Sequence, residues 1–223
     1  MTDSDRPHPL ARFNGNSRHG LWNLLTMITI EFDKQSYWQH RFSEERAFEW
    51  LIPSDRFLDM IQPQLDMLPP SARILNLGCG NSDLQNHFRS RGFLDVTNVD
   101  YEPLALQRGQ DLEREAFGDV QMHYVEADVT KLALPGQYDL IIDKSTADAV
   151  ACGDKACLLR MAASVRACFS PTGIWISFSY SSDRFPDDES FPFKVTILHK
   201  VLLPKELPSE PDLFDTCYLL QPK

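Results

Sequence analysis

The chain has 223 residues, of which 43% are hydrophobic; this suits one α/β domain with a sizeable core and excludes a collagen, a coiled coil or a wholly disordered chain. The formal net charge is −10 at pH 7 and the sequence has no basic run, so we expect no nucleic-acid partner. No apolar run reaches the roughly 18 residues that span a bilayer, so we expect no membrane partner either.

The five cysteines are spaced in a way that argues against a metal centre. Cys152 and Cys157 have four residues between them, but no second pair of Cys or His residues completes a zinc site. We therefore expect no metal, and we interpret the cysteines as reduced thiols of a cytoplasmic protein.

Residues 1–35 are predicted to form an N-terminal extension, partly flexible, ahead of a single domain over residues 36–223. Residues 1–20 are polar and contain prolines and glycines, which is typical of a flexible lead-in. The apolar stretch Leu21–Ile30 is too short to cross a bilayer and is predicted to pack on the domain as a helix. A second helix is predicted over Ser54–Leu65, with its first residue, a serine, as the N-cap.

Strand and helix patterns alternate from residue 73 to residue 179, which predicts parallel βαβ units. Right-handed crossovers between such units give a Rossmann-like, doubly wound sheet that binds ligands at the carboxyl ends of its strands. After Pro192 the alternation stops, and two long strands separated by a proline-rich loop predict an antiparallel hairpin. The sequence therefore predicts an α/β fold with seven strands, mostly parallel with a C-terminal antiparallel hairpin. The predicted strands are Arg73–Leu77, Val96–Val99, Met122–Val125, Tyr138–Ile142, Ile174–Ser179, Lys194–Leu203 and Asp215–Leu220; the predicted helices after residue 73 are Asp83–Arg91, Pro103–Phe117 and Lys155–Phe169, the last followed by a turn at Ser170–Gly173.

A glycine turn, Gly78-Cys79-Gly80, follows the first predicted strand and precedes a helix. Its glycines allow the backbone to turn tightly and to approach a bound nucleoside closely. Asp100 ends the next strand, where a carboxylate accepts hydrogen bonds from both hydroxyls of a ribose. A Gly-x-Gly turn alone is often only structural, but the order of strand, turn, helix and acidic residue favours a nucleoside site.

The residues after the turn decide which nucleoside is expected. A dinucleotide site places a pyrophosphate on the helix N-terminus, but Asp83 lies there and would repel it. Asp128 and Asp143 follow the third and fourth strands. Together with Asp83 and Asp100 they make four carboxylates near strand ends, which favour a cationic ligand such as a sulfonium with an amino group. Each of these aspartates alone could equally be a helix cap or a turn residue.

Tyr37 and Trp38 open the domain and offer two interpretations. Aromatic faces stabilise a sulfonium or stack on an adenine, which would place both residues at the donor site. They could equally be core residues that anchor an N-terminal helix.

Several of these motifs resemble one group of enzymes. The residues Tyr37-Trp38-x-x-Arg41-Phe42, the run Ile74–Ser82 and the run Asp143–Ala149 are similar to the methyltransferase-like group that includes the lysine methyltransferases of translation elongation factor 1A. The resemblance extends from about Ser36 to the C-terminal hairpin. It departs from the group at Ser145, where the Asp-Lys-Gly-Thr-x-Asp-Ala motif has glycine.

The resemblance implies a class I, seven-strand methyltransferase with S-adenosyl-L-methionine as donor and S-adenosyl-L-homocysteine as product. It implies that the acceptor is the amine of a protein lysine, for example in a translation elongation factor. The expected donor-binding residues are Tyr37, Trp38, Gly78, Cys79, Gly80, Asn81, Asp100, Tyr101, Asp128, Val129 and Asp143.

Methyl transfer to an amine requires the nitrogen to be neutral, so a group must orient it or receive its proton. Asp143 is the first candidate because it ends a strand at the expected crevice, and Asp148 is the second. Two other functions stay open from the sequence: a methyltransferase acting on an O, N or S atom of a metabolite, and a non-catalytic binding protein that retains the fold. Ser145 lies at the expected mouth of the acceptor pocket, where its side chain would narrow the pocket or bond the acceptor.

Overall fold

A computed structural model of the chain describes residues 32–205 and 207–223. The predicted flexible lead-in and the predicted helix at Leu21–Ile30 lie outside the described residues. The first described residue, Phe32, is buried, and α1 begins three residues later (Gln35–Glu44).

The helix predicted over Ser54–Leu65 is present as two pieces, α2 (Ser54–Met60) and α3 (Gln62–Leu65). The break occurs because Pro63 lies in the first turn of α3 and has no N–H to continue the hydrogen-bond ladder. The predicted serine cap is wrong: the N-cap of α2 is Pro53, and it makes no side-chain cap. The Ser54 hydroxyl instead points into the domain and donates to the Glu49 carboxylate at 2.8 Å.

One mixed sheet of seven strands forms the centre of the molecule, in the order β3-β2-β1-β4-β5-β7-β6. Neighbouring strands among β1 to β5 pair in parallel, and β7 pairs antiparallel with both β5 and β6. This confirms the predicted fold, including the C-terminal hairpin. The strands are β1 (Ile74–Leu77), β2 (Val96–Asp100), β3 (His123–Glu126), β4 (Tyr138–Lys144), β5 (Phe169–Ser179), β6 (Phe193–Leu202) and β7 (Phe214–Pro222).

The helices that connect the parallel strands are α4 (Leu84–Ser90), α5 (Pro103–Phe117), α6 (Thr146–Ala151) and α7 (Lys155–Arg166). The short helix α6 was not predicted. The predicted turn at Ser170–Gly173 is also wrong, because those residues extend β5 toward its N-terminus, past a register shift opposite Tyr138 and Leu140. A β-carbon on Gly173 would lie 2.7 Å from the Tyr138 carbonyl, so this glycine serves a close approach of two strands rather than a turn.

Both faces of the sheet are covered by apolar side chains. On one face Trp175 of β5 packs in a cluster with Leu158, Met161 and Val165 of α7. On the other face Phe178 of β5 packs in a cluster with residues of α2 and α4. The sheet is therefore a buried middle layer. In such folds ligands bind at the carboxyl ends of the parallel strands.

The outer strand of the C-terminal hairpin is irregular. A register shift separates Ile197 from His199 where β6 pairs with β7. Lys194 and Lys200 on β6 are exposed, and Ile197 is 43% exposed. Among the described strands, β6 therefore forms an edge that is bulged and positively charged.

Candidate active site

The glycine turn after β1 is shaped by two backbone conformations and one close contact. Gly78 and Gly80 have φ angles of +59° and +54°, in the left-handed region that favours glycine. A β-carbon on Gly78 would lie 2.3 Å from the Thr146 hydroxyl oxygen, and that hydroxyl donates to the Leu77 carbonyl at 2.8 Å. The turn therefore approaches the start of α6 so closely that only glycine is accommodated.

Asp100 joins the glycine turn to the end of β2. Its carboxylate accepts the Gly80 N–H at 2.9 Å on one oxygen and the Glu102 N–H at 3.0 Å on the other. The residue is 5% exposed, and burial raises the pKa of Asp100 to about 6 although these N–H groups oppose the rise. Each carboxylate oxygen keeps a second lone pair, so the group can still accept two hydroxyl hydrogen bonds.

Helix α1 lies beside the carboxyl ends of β1 and β2. We call this part of the sheet the donor end, because the predicted donor-binding residues Gly78, Gly80 and Asp100 lie there. The Gln35 amide donates to the Tyr101 carbonyl at 2.6 Å, and the Asn81 amide donates to the Glu45 carbonyl at 3.0 Å. The two bonds fix the start and the end of α1 to the loops that follow β2 and β1. Neither Gln35 nor Glu45 was identified from the sequence, because no local motif marks them.

The aromatic residues of α1 form a cluster with rings from neighbouring segments. Tyr37 lies edge-on to Phe32 at 4.9 Å and to Trp38 at 5.1 Å between ring centroids. The Arg41 guanidinium lies 4.4 Å from the centre of the Trp50 ring, and the indole N–H of Trp38 donates to the Phe32 carbonyl. These contacts favour the anchoring interpretation of Tyr37 and Trp38. Both residues are only half-buried, so their donor contacts stay a prediction.

The remaining predicted donor residues lie at the same end of the sheet. Asp128 accepts the N–H and the hydroxyl of Thr130 at 2.8 and 2.7 Å; burial opposes ionisation, but the bonds from Thr130 and the charge of Lys131 hold the pKa of Asp128 below its usual value. Val129 and the Cys79 side chain are buried, and the Cys79 N–H donates to the Val99 carbonyl. Only backbone atoms of these two residues are therefore suited to bind a ligand.

Asp143 has no exposed surface. Its carboxylate accepts the Trp175 indole N–H at 2.8 Å and the Ala147 N–H at 3.0 Å, and burial raises the pKa of Asp143 to about 6. Because it has no exposed surface, this carboxylate could contact an acceptor only if the residues packed around it moved. The geometry therefore favours Asp143 as a residue that holds α6 against β5.

Asp148 is the centre of a buried network at the ends of β4 and β5. Its carboxylate accepts the hydroxyls of Ser145 and Ser179, the Tyr180 N–H at 3.1 Å and the Arg184 Nε at 2.8 Å. Asp148 is 4% exposed. With four donors around it, this carboxylate positions its neighbours, and we call these five residues the Asp148 network.

Ser145 has a φ angle of +75°, which explains why glycine suits this position in the motif that the sequence resembles. Its N–H donates to the Phe178 carbonyl at 2.8 Å, and its hydroxyl donates to Asp148 at 3.1 Å. The serine side chain thus compensates for a strained backbone with one partly buried hydrogen bond.

Lys144, the last residue of β4, ties the segment before α2 to the sheet. Its ammonium donates to the Glu49 carboxylate and to the carbonyls of Trp50 and Ile52 at 3.1 and 3.0 Å. Burial lowers the pKa of Lys144, against the opposing charge of Glu49. All three ammonium protons have acceptors, so Lys144 acts as a clamp and not as a base.

Asp215, at the start of β7, was predicted only as part of a strand. It is 1% exposed, and neither carboxylate oxygen has a hydrogen-bond partner among the described residues. Burial first, and the charge of Asp148 second, raise the pKa of Asp215 to about 7. Its sequence signal is an acidic residue at the start of a mostly apolar strand.

Two features that the described residues lack bear on the class of function. No described helix is both long enough and apolar enough to cross a bilayer. Among the same residues, no group of three or more His, Cys, Asp or Glu side chains is arranged to hold a metal ion.

Sequence comparisons place the chain among methyltransferases. A family model described as "Methyltransferase domain" matches residues 74–172. Methyltransferase srdJ of Neurospora crassa is 49% identical over 199 residues, covering 86% of this chain and 85% of that protein. The eEF1A lysine and N-terminal methyltransferase homolog of Drosophila melanogaster is 34% identical over 136 residues, covering 60% of this chain and 20% of that protein. EEF1A lysine methyltransferase 4 of Bos taurus is 33% identical over 124 residues, covering 53% of this chain and 46% of that protein. The chain therefore spans less than half of the length of these two lysine methyltransferases.

Structural comparisons agree on the fold. An S-adenosylmethionine-dependent methyltransferase from Clostridium acetobutylicum superposes with a TM-score of 0.59 at 15% identity, covering 84% of this chain and 99% of that chain. The N-methyltransferase NodS from Bradyrhizobium japonicum, in complex with S-adenosyl-L-homocysteine, superposes with a TM-score of 0.58 at 13% identity, covering 82% of this chain and 98% of that chain. The predicted resemblance is thereby confirmed, and the chain belongs to the class I, seven-strand, S-adenosylmethionine-dependent methyltransferases.

Proposed function

We propose that this methyltransferase acts on an amine nitrogen, in the first instance the side-chain amine of a lysine in a protein such as a translation elongation factor. The observation behind the proposal lies where the carboxyl ends of β4 and β5 meet the start of β7, which we call the acceptor end of the sheet. Asp148 and Asp215 are both buried there. Among the described residues, Asp148 pairs with Arg184, whereas the Asp215 carboxylate has no hydrogen-bond partner. An excess of buried negative charge favours a cationic ligand. The relatives named as lysine methyltransferases add weight to this choice.

The residues at the donor end fit S-adenosylmethionine. Asp100 would accept both ribose hydroxyls with its free lone pairs, and the backbone from Gly78 to Gly80 would lie against the nucleoside. Asp128 would bond the adenine amino group, and the rings of Tyr37 and Trp38 would lie near the sulfonium. The donor, when bound, supplies a methyl group that is already activated by the positive sulfur. Because of that activation, the chain's own contribution is to position the acceptor nitrogen in line with the transferred carbon and to remove its proton.

In this proposal Asp143 and Asp148 act through other residues. Asp143 holds the start of α6 to β5 through Ala147 and Trp175. Asp148 fixes the Tyr180 backbone and the Arg184 side chain at the end of β5. Together they would keep the acceptor end of the sheet rigid while the donor end binds the nucleoside.

A metabolite acceptor is the second candidate. It stays open because methyltransferase srdJ, whose name specifies no acceptor, matches 86% of this chain, whereas the lysine methyltransferases match only 53–60% of it.

The test combines donor binding with two acceptor pools. Calorimetry with S-adenosylhomocysteine is expected to show binding, and Asp100→Asn is the matched variant with weakened binding. The protein is then incubated with donor labelled in the methyl group and either a whole-cell protein extract or a metabolite extract. Label on a protein lysine supports the first candidate, and label confined to small molecules supports the second. Binding of a nicotinamide dinucleotide in place of S-adenosylhomocysteine would contradict both.

A further inference from the structure

The acceptor end of the sheet contains two buried aspartates with opposite hydrogen-bond environments. The Asp148 carboxylate accepts four hydrogen bonds from residues 145–184. The Asp215 carboxylate, buried to 99%, accepts none from the described residues. A buried carboxylate without partners costs several kcal/mol when ionised, so a ligand that supplied the missing donors would stabilise it.

The position of Asp215 indicates which ligand that is. On β7 the next residue, Thr216, pairs with Ser179, the last residue of β5. Asp215 therefore lies one residue beyond the carboxyl end of β5. Asp100 and Lys144 lie on the same side of the sheet, at the carboxyl ends of β2 and β4. Asp100 belongs to the donor end and lies on β2, four strands from β7 in the order β2-β1-β4-β5-β7, so Asp215 is placed on the acceptor side.

The charges around Asp215 favour a cationic or amine ligand. Asp148 is the charged group that acts on it among the described residues, and it raises the pKa of Asp215 further. The cation of the Asp148 network, the Arg184 guanidinium, forms its ion pair with Asp148 at 2.8 Å and is 10% exposed. Val201, the β6 residue that pairs with Asp215, brings no charge, and Lys200, which pairs with the next residue, Thr216, is exposed.

We propose that Asp215 binds the methyl-accepting nitrogen, so that its two free oxygens receive the N–H groups of an ammonium and one of them takes a proton from it. In this step an N–H bond breaks, its electron pair stays on nitrogen as the lone pair, and the proton moves to a carboxylate oxygen. The neutral nitrogen is then able to attack the methyl carbon, and the proton leaves to water when the product departs. A carboxyl that titrates near 7 is well matched to this exchange at neutral pH. The inference rests on the proposed function and names the residue that selects amines.

The test follows the Asp215 carboxyl directly by NMR, in protein labelled with ¹³C at the aspartate carboxyl carbons. The Asp215 signal is identified by its absence from Asp215→Asn, and it is expected to titrate with a midpoint near 7. The probe is n-butylamine, which has the chemistry of a lysine side chain, added to protein saturated with S-adenosylhomocysteine. We expect the amine to shift the midpoint downward, because a bound cation stabilises the carboxylate. The matched probe, 1-butanol, is expected to leave it unchanged.

The matched protein variant is Asp187→Asn, which removes the same charge from an exposed position. Asp215→Asn should bind S-adenosylhomocysteine with an affinity within twofold of the wild type. Its kcat/KM toward the acceptor identified in the labelling experiment should fall at least tenfold, and the dependence of kcat/KM on pH should flatten. Asp187→Asn should match the wild type in all three measurements. An Asp215 signal that ignores n-butylamine, or that responds equally to 1-butanol, would overturn the proposal. If the wild type responds to n-butylamine but does not bind S-adenosylhomocysteine, the proposed function is wrong and the amine-binding role of Asp215 stands.

Discussion

The two ends of the proposed site are built in different ways. At the donor end, the carboxylate of Asp100 is held by backbone N–H groups of Gly80 and Glu102. At the acceptor end, the carboxylate of Asp148 is held mainly by side chains, from Ser145, Ser179 and Arg184. Backbone donors come with the fold itself and are insensitive to most substitutions, whereas side-chain donors are lost one at a time. The donor end can therefore stay constant in a family while the acceptor end changes with the substrate.

The strongest test of this contrast removes the centre of the side-chain network. Asp148→Ala leaves the buried Arg184 guanidinium without its counter-charge, and it is expected to lower the free energy of unfolding by about 3–5 kcal/mol. Urea denaturation measures the loss, with exposed Asp187→Ala as a control that should change stability by less than about 0.5 kcal/mol. A loss below about 1 kcal/mol for Asp148→Ala would mean that the network contributes little to the rigidity of the acceptor end.

The donor end is tested by a pair of glycine variants. Gly78→Ala and Gly92→Ala both place a β-carbon on a residue with positive φ, which costs about 1–2 kcal/mol. Only at Gly78 does that carbon collide with Thr146; at Gly92 no atom lies within 4 Å. We expect Gly78→Ala to cost about 1–3 kcal/mol more than Gly92→Ala, measured by urea denaturation. Equal losses would show that α6 can move away from the glycine turn.

A third test asks whether Asp100 binds the donor through its ionised form. Asp100→Asn keeps the size of the side chain but replaces one acceptor oxygen by a donor, and it is expected to weaken S-adenosylhomocysteine binding at least tenfold. Because the pKa of Asp100 is about 6, wild-type affinity should be constant above that pH and fall as the pH drops through it. Calorimetry from pH 5 to 8 measures both effects. The same fall in Asp100→Asn would assign the titration to another group.

The smallest effect is expected at Ser145. Glycine at this position removes the cost of a positive φ, about 1–2 kcal/mol, and loses one hydrogen bond to Asp148, worth about 0.5–1.5 kcal/mol. Ser145→Gly should therefore be close to the wild type in stability and in donor affinity. Turnover with the identified acceptor should change if the hydroxyl contacts that acceptor. Equal losses of donor affinity and turnover would place Ser145 in the donor end.

The same contrast explains which parts of the site could be predicted from the sequence. The donor end consists of short runs, such as Gly78–Ser82, in which the turn, the following helix and their residues are adjacent in the chain. The acceptor end brings together Ser145, Arg184 and Asp215, which no local pattern relates. Asp143 shows the limit of such a prediction. Its place at a strand end was predicted, but its carboxylate bonds the indole of Trp175, 32 residues later in the chain. The helix α6 was missed because its six residues are too few to show a periodic pattern.

The bulged, lysine-bearing edge strand β6 has a consequence for the behaviour of the protein in concentrated solution. A long edge strand with exposed Ile197 and Leu202 offers unpaired backbone groups to a second copy, and edge-to-edge pairing of that kind is a route to aggregation. The register shift at Ile197 and His199 disturbs the template, and Lys194 and Lys200 on either side of it would repel the same charges of an incoming copy. High salt screens that repulsion but leaves the bulge in place, so β6 retains one of its two safeguards against self-association under such conditions.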